Sequence, residues 1–188
     1  MPASKGPRPA DATALLIKDH RKVKRLLKQL DATTERAATR RETLFKEIEN
    51  EIKIHSKVEE EIFYPAFKEA ARKSDEHIYF EALEEHHLVD VVLPEMKASR
   101  TESDEFGAKA KVLLDLVEHH ADEEESEMFT KARRLMGAEE LRELGRRIQE
   151  RKIELQSGLL ERAARTAESA WGTVMEKVAG PSRKKRAA

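Results

Sequence analysis

Two stretches decide how this chain reads: HSKVEEEIFYP at residues 55–65 and HADEEESEMFT at residues 120–130. Each opens on a histidine, places a glutamate four residues later, continues in acid and then turns apolar. On a helix, positions i and i+4 stand about 5–6 Å apart at Cβ and face the same way. His55 and Glu59 therefore share one face, as do His120 and Glu124. Working outward, both pairs fall on apolar stripes of helical period. One runs through Leu44, Ile48, Ile52, His55, Glu59, Ile62 and Ala66, the other through Leu113, Leu116, His120, Glu124 and Met128. Two further stripes carry a lone histidine each. Leu16, His20, Val23, Leu27 and Leu30 form the first; Tyr79, Leu83, His86, Val89, Leu93 and Met96 form the other.

These stripes predict helices over residues 11–31, 41–71, 75–98 and 103–136, with Asp11 and Thr13 as candidate N-caps and Gly137 as a C-terminal stop. Short polar links between them make an up-down-up-down four-helix bundle the natural packing, so the fold class is all-α. Residues 138–179 read as one or two further amphipathic helices, with Leu141, Leu144, Ile148, Leu155, Leu159, Ala163, Trp171, Val174 and Val178 as apolar positions. They form a C-terminal helical extension that packs on the bundle or on a second copy of the chain as a homo-oligomer. Residues 1–10 read as a disordered N-terminus, 11–137 as the bundle and 180–188 as a basic tail.

Composition agrees. The 188 residues hold 36 Lys and Arg against 37 Asp and Glu, only 5% aromatics, 7 Gly and 6 Pro, which disfavours an all-β fold. The absence of cysteine excludes a disulfide scaffold, a thiolate zinc site and a cysteine nucleophile. No signal-like leader and no apolar run of about 18 residues occurs, so a cytoplasmic protein with no membrane partner is expected. The RKKR tail at 183–186 takes four of the basic residues, leaving 32 against 37 acidic; a body of net −5 argues against nucleic acid.

The inward positions also repeat. His20 to His86 is 66 residues; His55 to His120 and Glu59 to Glu124 are each 65. One helical hairpin thus occurs twice, and a pseudo-two-fold packing brings four imidazoles and two carboxylates into an apolar interior. Buried carboxylates need a cation or a hydrogen-bonded partner, and this donor set suits a pair of iron ions. Taken singly, each residue also reads as a hydrogen-bonded core histidine or a surface ion pair. His77 reads as solvated. His87 and His119 lie about 100° off the stripes.

The quoted motifs resemble the hemerythrin-like, or HHE cation-binding, family: Asp19-His20, His55-x-x-x-Glu59 ending in Tyr64-Pro65, Glu85-His86, and His120-x-x-x-Glu124, in that order over residues 11–137. The resemblance implies a non-haem di-iron centre with His20, His55, His86 and His120 as terminal ligands and Glu59 and Glu124 bridging two iron ions. It also implies binding or sensing of dioxygen, peroxide or nitric oxide, or iron handling. The sequence departs from the oxygen carriers of the family. They have two histidines four apart on the third helix, where Asp90 follows His86 and Val91 follows His87. They also carry the fourth-helix carboxylate five residues after its histidine, where Glu125 stands. Asp90, Glu125 and His87 therefore remain candidates to complete the coordination. Two other functions stay open: a metal-free helical interaction module, and a ferritin-like di-iron oxidase, which needs two Glu-x-x-His motifs where Glu84 to His87 supplies one.

Overall fold

The computed structural model describes residues 10–179. Helix α1 (Ala12–Asp31) starts where Asp11, in extended conformation, accepts the Ala14 amide hydrogen at 2.9 Å. That side chain satisfies an amide the helix leaves unpaired. Thr13 lies inside the helix and donates its hydroxyl to the same carboxylate at 2.7 Å. After a short 3-10 turn come α2 (Ala38–Val58) and, in line with it, α3 (Tyr64–Ala70). Helix α4 (Glu76–Ala98) is followed by α5 (Asp104–Glu123), its in-line continuation α6 (Phe129–Leu135) and α7 (Ala138–Ala179). Helix α1 packs on α2 and α5, and α4 packs on α5, so the fold is the all-α bundle that the stripes require. No helix among the described residues is long and apolar enough to cross a membrane.

Two predicted helices are not continuous. The 41–71 helix starts earlier, at Ala38, and opens into a π-helical turn at Glu59–Phe63; the 103–136 helix opens at Glu124–Met128. In each, the first amide past the turn reaches back five residues, from Tyr64 to the Glu59 carbonyl and from Phe129 to the Glu124 carbonyl. The extra residue rotates the remainder of each helix. Phe63, Tyr64 and Phe67 turn inward with Ile62, while Ala66 is only half-buried; Met128, Phe129 and Ala132 do the same in the second copy. Early in α4, Ile78 and Ala82 are buried rather than Tyr79 and Leu83, which are half-covered. Gly137 is not a left-handed stop. Helix α6 ends because Met136 is extended (φ −99°, ψ 145°), and the Gly137 carbonyl accepts the first bond of α7 from Leu141 at 3.0 Å.

One apolar cluster fills the half of the bundle toward the α1–α2 and α4–α5 links. It includes Leu27 and Leu30 of α1, Ile48 of α2, Leu93 and Met96 of α4, and Phe106 and Leu113 of α5. Each such side chain contributes about 1.5–3 kcal/mol on burial. Arg41 is buried at the far end, donating to Thr33 and to the Thr101 carbonyl, and so ties together the α1–α2 and α4–α5 links. Helices α1, α2, α4 and α5 then change chemistry at the same level. Val23, Ile52, Val89 and Val117 are the members of this cluster nearest the centre, and His20, His55, His86 and His120 stand three residues beyond them, with apolar residues such as Leu16, Phe63 and Phe129 buried again on the other side.

The described residues divide into two compact units, 10–152 and 153–179. Within the first, Leu141, Leu144 and Ile148 of α7 are buried, so this part of the extension covers its own chain. Leu155 and Leu159 of the second unit are half-exposed. The side chains of Ala163, Trp171, Val174 and Val178, the N-terminal residues 1–9 and the tail 180–188 lie outside the described residues.

Candidate metal centre

All six predicted site residues meet. His20, His55, Glu59, His86, His120 and Glu124 are each at most 7% exposed, and they come from α1, α2, α4, α5 and the two π turns. Glu59 is central. Its Oε2 lies 3.1 Å from His55 Nε2 and 3.4 Å from His86 Nε2, and its Oε1 lies 3.8 Å from His20 Nε2. Glu124 Oε2 lies 3.2 Å from His20 Nε2 and 3.5 Å from His120 Nε2. Ligand-capable atoms gather into two groups within 4.8 Å: His20, His55, Glu59 and Glu124, and Glu59, His86 and His120. Glu59 belongs to both.

Outside the ring of Nε2 atoms stands a ring of acids. His20 Nδ1 donates to Glu125 at 3.0 Å, His86 Nδ1 to Glu60 at 2.9 Å and His120 Nδ1 to Glu85 at 2.7 Å. Asp19 Oδ2 faces His55 Nδ1 at 3.6 Å. A carboxylate only accepts, so in the neutral imidazole the three bonds place the proton on Nδ1 and leave the Nε2 lone pair facing inward. Such outer partners fix the tautomer and orientation of metal-binding histidines. The acids obey the internal repeat: Asp19 and Glu85 each precede a lone histidine, and Glu60 and Glu125 each follow a central glutamate. Lys152 of α7 donates to both oxygens of Asp19 at 2.6 Å. The extension thus adds a charge contact to the apolar cover expected of it.

The repeat breaks at one pair. Tyr64 and Phe129 hold equivalent places, five residues after Glu59 and Glu124 and turned inward by the π turns. The Tyr64 hydroxyl is fully buried and 3.2 Å from His86 Nε2. Phe129 instead stacks on His20, with centroids 5.7 Å apart and planes 9° apart. In sequence Tyr64 stands out only as the end of a motif; the apolar residues at +4, +5 and +8 after the glutamate in both copies are the signal for its inward turn. Among the other candidates, Asp90, His87 and Glu84 are all exposed, and none of the three joins the buried donor groups. Glu125 serves His20 from outside.

Burial and mutual charge set these groups against one another. Burial lowers the His55 imidazole to about 4. Burial also opposes charge on His20, but the Glu124 carboxylate close by and the bond to Glu125 outweigh this and raise it to about 9. Burial, then the charge of Glu124, lifts Glu59 well above the usual carboxylate range. Glu124 is desolvated too, yet His120 and His20 hold it low. Tyr64 is pushed up by burial and by both glutamates. Among the described residues, seven buried side-chain atoms have no hydrogen-bond partner: His20 Nε2, both nitrogens of His55, and all four oxygens of Glu59 and Glu124. Each such group costs about 1–3 kcal/mol when left unsatisfied. Imidazole and carboxylate donors of this kind fit first-row transition metals. Beside them, a cavity of about 20 Å³ is lined by the four imidazoles and by Val23, Ile52, Val89 and Val117.

The Hemerythrin HHE cation binding domain profile matches residues 11–132. A crystal structure of a Hemerythrin HHE cation binding domain-containing protein from Mycobacterium kansasii is similar, with 25% identity and a TM-score of 0.70. The match covers 81% of this chain and 91% of that one. No curated protein matches at a significant level.

Proposed function

The chain belongs to the Hemerythrin HHE cation binding domain family, and from that premise we propose that it holds two iron ions in a non-haem di-iron centre. Through them it binds or senses dioxygen, peroxide or nitric oxide. The observation that carries this reading is the set of seven unpartnered buried atoms gathered in one place. A metal-free interaction module has no use for them, since apolar residues of the same size would stabilise its core better.

His20, His55, His86 and His120 would be terminal ligands, with Glu59 and Glu124 between the ions. Bound iron supplies one-electron redox chemistry and coordination sites for a small ligand. The protein's own contribution is orientation and exclusion. Glu125, Glu60 and Glu85 hold Nε2 of His20, His86 and His120 inward, and the apolar lining keeps water few. The cavity of about 20 Å³ has room for about one water-sized molecule, which supports a diatomic or peroxide ligand over an organic substrate. Tyr64, with its hydroxyl beside His86, makes the two halves unequal. Its hydrogen can be donated to a ligand on the His86–His120 side, while Phe129 offers the His20 side no such donor.

The test is anaerobic reconstitution of the full chain with ferrous iron, followed by optical spectra on adding oxygen, peroxide or nitric oxide. New near-ultraviolet or visible bands with at least one of them are expected, altered in Tyr64→Phe. Iron that binds and yet gives no spectral change with any of the three would refute the small-ligand reading.

A further inference from the structure

We propose that the acidic cleft between α4, the end of α5 and the second π turn is the route by which divalent cations reach the buried centre. This rests on the metal-centre reading above and assigns a path and a capture point to it. The cleft has a cavity of about 70 Å³ lined by Glu81, Glu85, Glu123, Glu124 and Glu127, with no lysine or arginine among its lining residues.

Acidic side chains on a surface are commonplace, but this cleft has a distinct inner end. Glu124 is 2% exposed, both of its oxygens lack a hydrogen-bond partner, and it lines the same cavity. One carboxylate therefore belongs both to the cleft and to the buried donor group with His20, His55 and Glu59. At the outer side, Glu85, His119 and Glu123 bring ligand-capable atoms within 4.8 Å of one another. Glu85 uses one oxygen to hold His120 at 2.7 Å and turns the other toward His119 at 3.3 Å. A cation first held by Glu123, His119 and the second oxygen of Glu85 is then one residue along the helix from Glu124. Glu81 and Glu127 are exposed at the mouth. Converging like charges beside low-dielectric walls raise the local concentration of counter-ions and speed association about 10-fold or more, an effect that salt weakens.

The experiment mixes metal-free full-length protein with Co²⁺ at low ionic strength in a stopped-flow instrument. It records the ligand-field absorption against time and the number of ions bound at the end. The double variant Glu81→Gln/Glu127→Gln is compared with Glu35→Gln/Glu42→Gln, which removes the same charge from exposed positions elsewhere. The expected result is uptake slowed about 5- to 10-fold in the first pair alone, with the final number of ions unchanged and the difference shrinking at high salt. Equal rates in the two variants would overturn the route while leaving the buried centre standing. A lower final number with an unchanged rate would also overturn it, since Glu81 and Glu127 would then be part of the holding site. Failure of the wild-type chain to take up Co²⁺ would remove both the route and the centre.

Discussion

Replacing Glu59 by glutamine separates a metal centre from a polar core kept for structural reasons. Glu59 is fully buried, and it is the residue shared by both donor groups. Burial and the nearby charge of Glu124 push its carboxyl well above the usual carboxylate range, toward its neutral form, in the metal-free chain. Glutamine is a close copy of that neutral form, so metal-free stability should change by no more than about 0.5 kcal/mol. With metal present the comparison reverses. A cation at about 100 times its Kd adds about 2.7 kcal/mol to the wild type, which for a chain of this size is about 5–11 °C in Tm. Glu59→Gln replaces a charged donor facing His20, His55 and His86 by a neutral amide, and most of that rise should vanish. Thermal melts with and without iron, read by circular dichroism, measure both quantities. Glu61→Gln, at an exposed residue paired with Arg151 at 2.7 Å, serves as the control. The reasoning is refuted if Glu59→Gln lowers the metal-free Tm as a core substitution would and leaves the metal-induced rise intact.

Other substitutions probe the surroundings. Asp19→Asn should weaken metal binding about 10- to 100-fold, as losses of outer partners usually do, and Lys152→Met should act in the same direction; titration with the fold monitored separately distinguishes this from unfolding. At Gly145 an added Cβ would lie 2.4 Å from the Ala10 carbonyl oxygen, a backbone atom that must move. Gly145→Ala should therefore destabilise by about 1–2 kcal/mol despite a better helix former, whereas Gly158→Ala, with nothing within 4 Å, should gain about 0.5–1 kcal/mol; urea melts of both variants decide. Glu49, buried on α2, takes Lys53 at 2.6 Å and Lys97 of α4 at 3.1 Å, which lowers its carboxyl below the ordinary 4.5 against the cost of burial. A depressed carboxyl stabilises above its ordinary value and loses that contribution as pH falls through its folded value. Glu49→Gln should thus cost up to about 1 kcal/mol at pH 7, held down by the exposure of both lysines, and should cost less at pH 3.

The stripes and the 65-residue repeat carried the fold and the six inward residues, because helical period and buried polarity are both local properties of sequence. What they did not carry was the register after Glu59 and Glu124. A regular 3.6 period puts Ala66 on the buried face. The π turn instead seats Tyr64 and Phe67 there, and nothing in a single helical pattern states that one residue has been inserted. The outer acids were half-legible. Asp19 and Glu85 stand within the motifs and Glu125 is a rival ligand by spacing, but their service to Nδ1 depends on which neighbouring helix faces them. Lys152 was out of reach altogether, since it meets Asp19 across 133 residues of chain. His87 shows the opposite case: its i,i+3 pairing with Glu84 is real in sequence, yet Val89 and Leu93 turn that face outward.

The central claim is that six inward side chains exist to hold two iron ions, and counting iron tests it most directly. The full chain is loaded anaerobically with ferrous iron, freed of unbound metal, and analysed for iron and protein together. Two irons per chain are expected for the wild type, and two again for His87→Ala, whose side chain is exposed. A wild-type chain that retains one iron or none under these conditions contradicts the account.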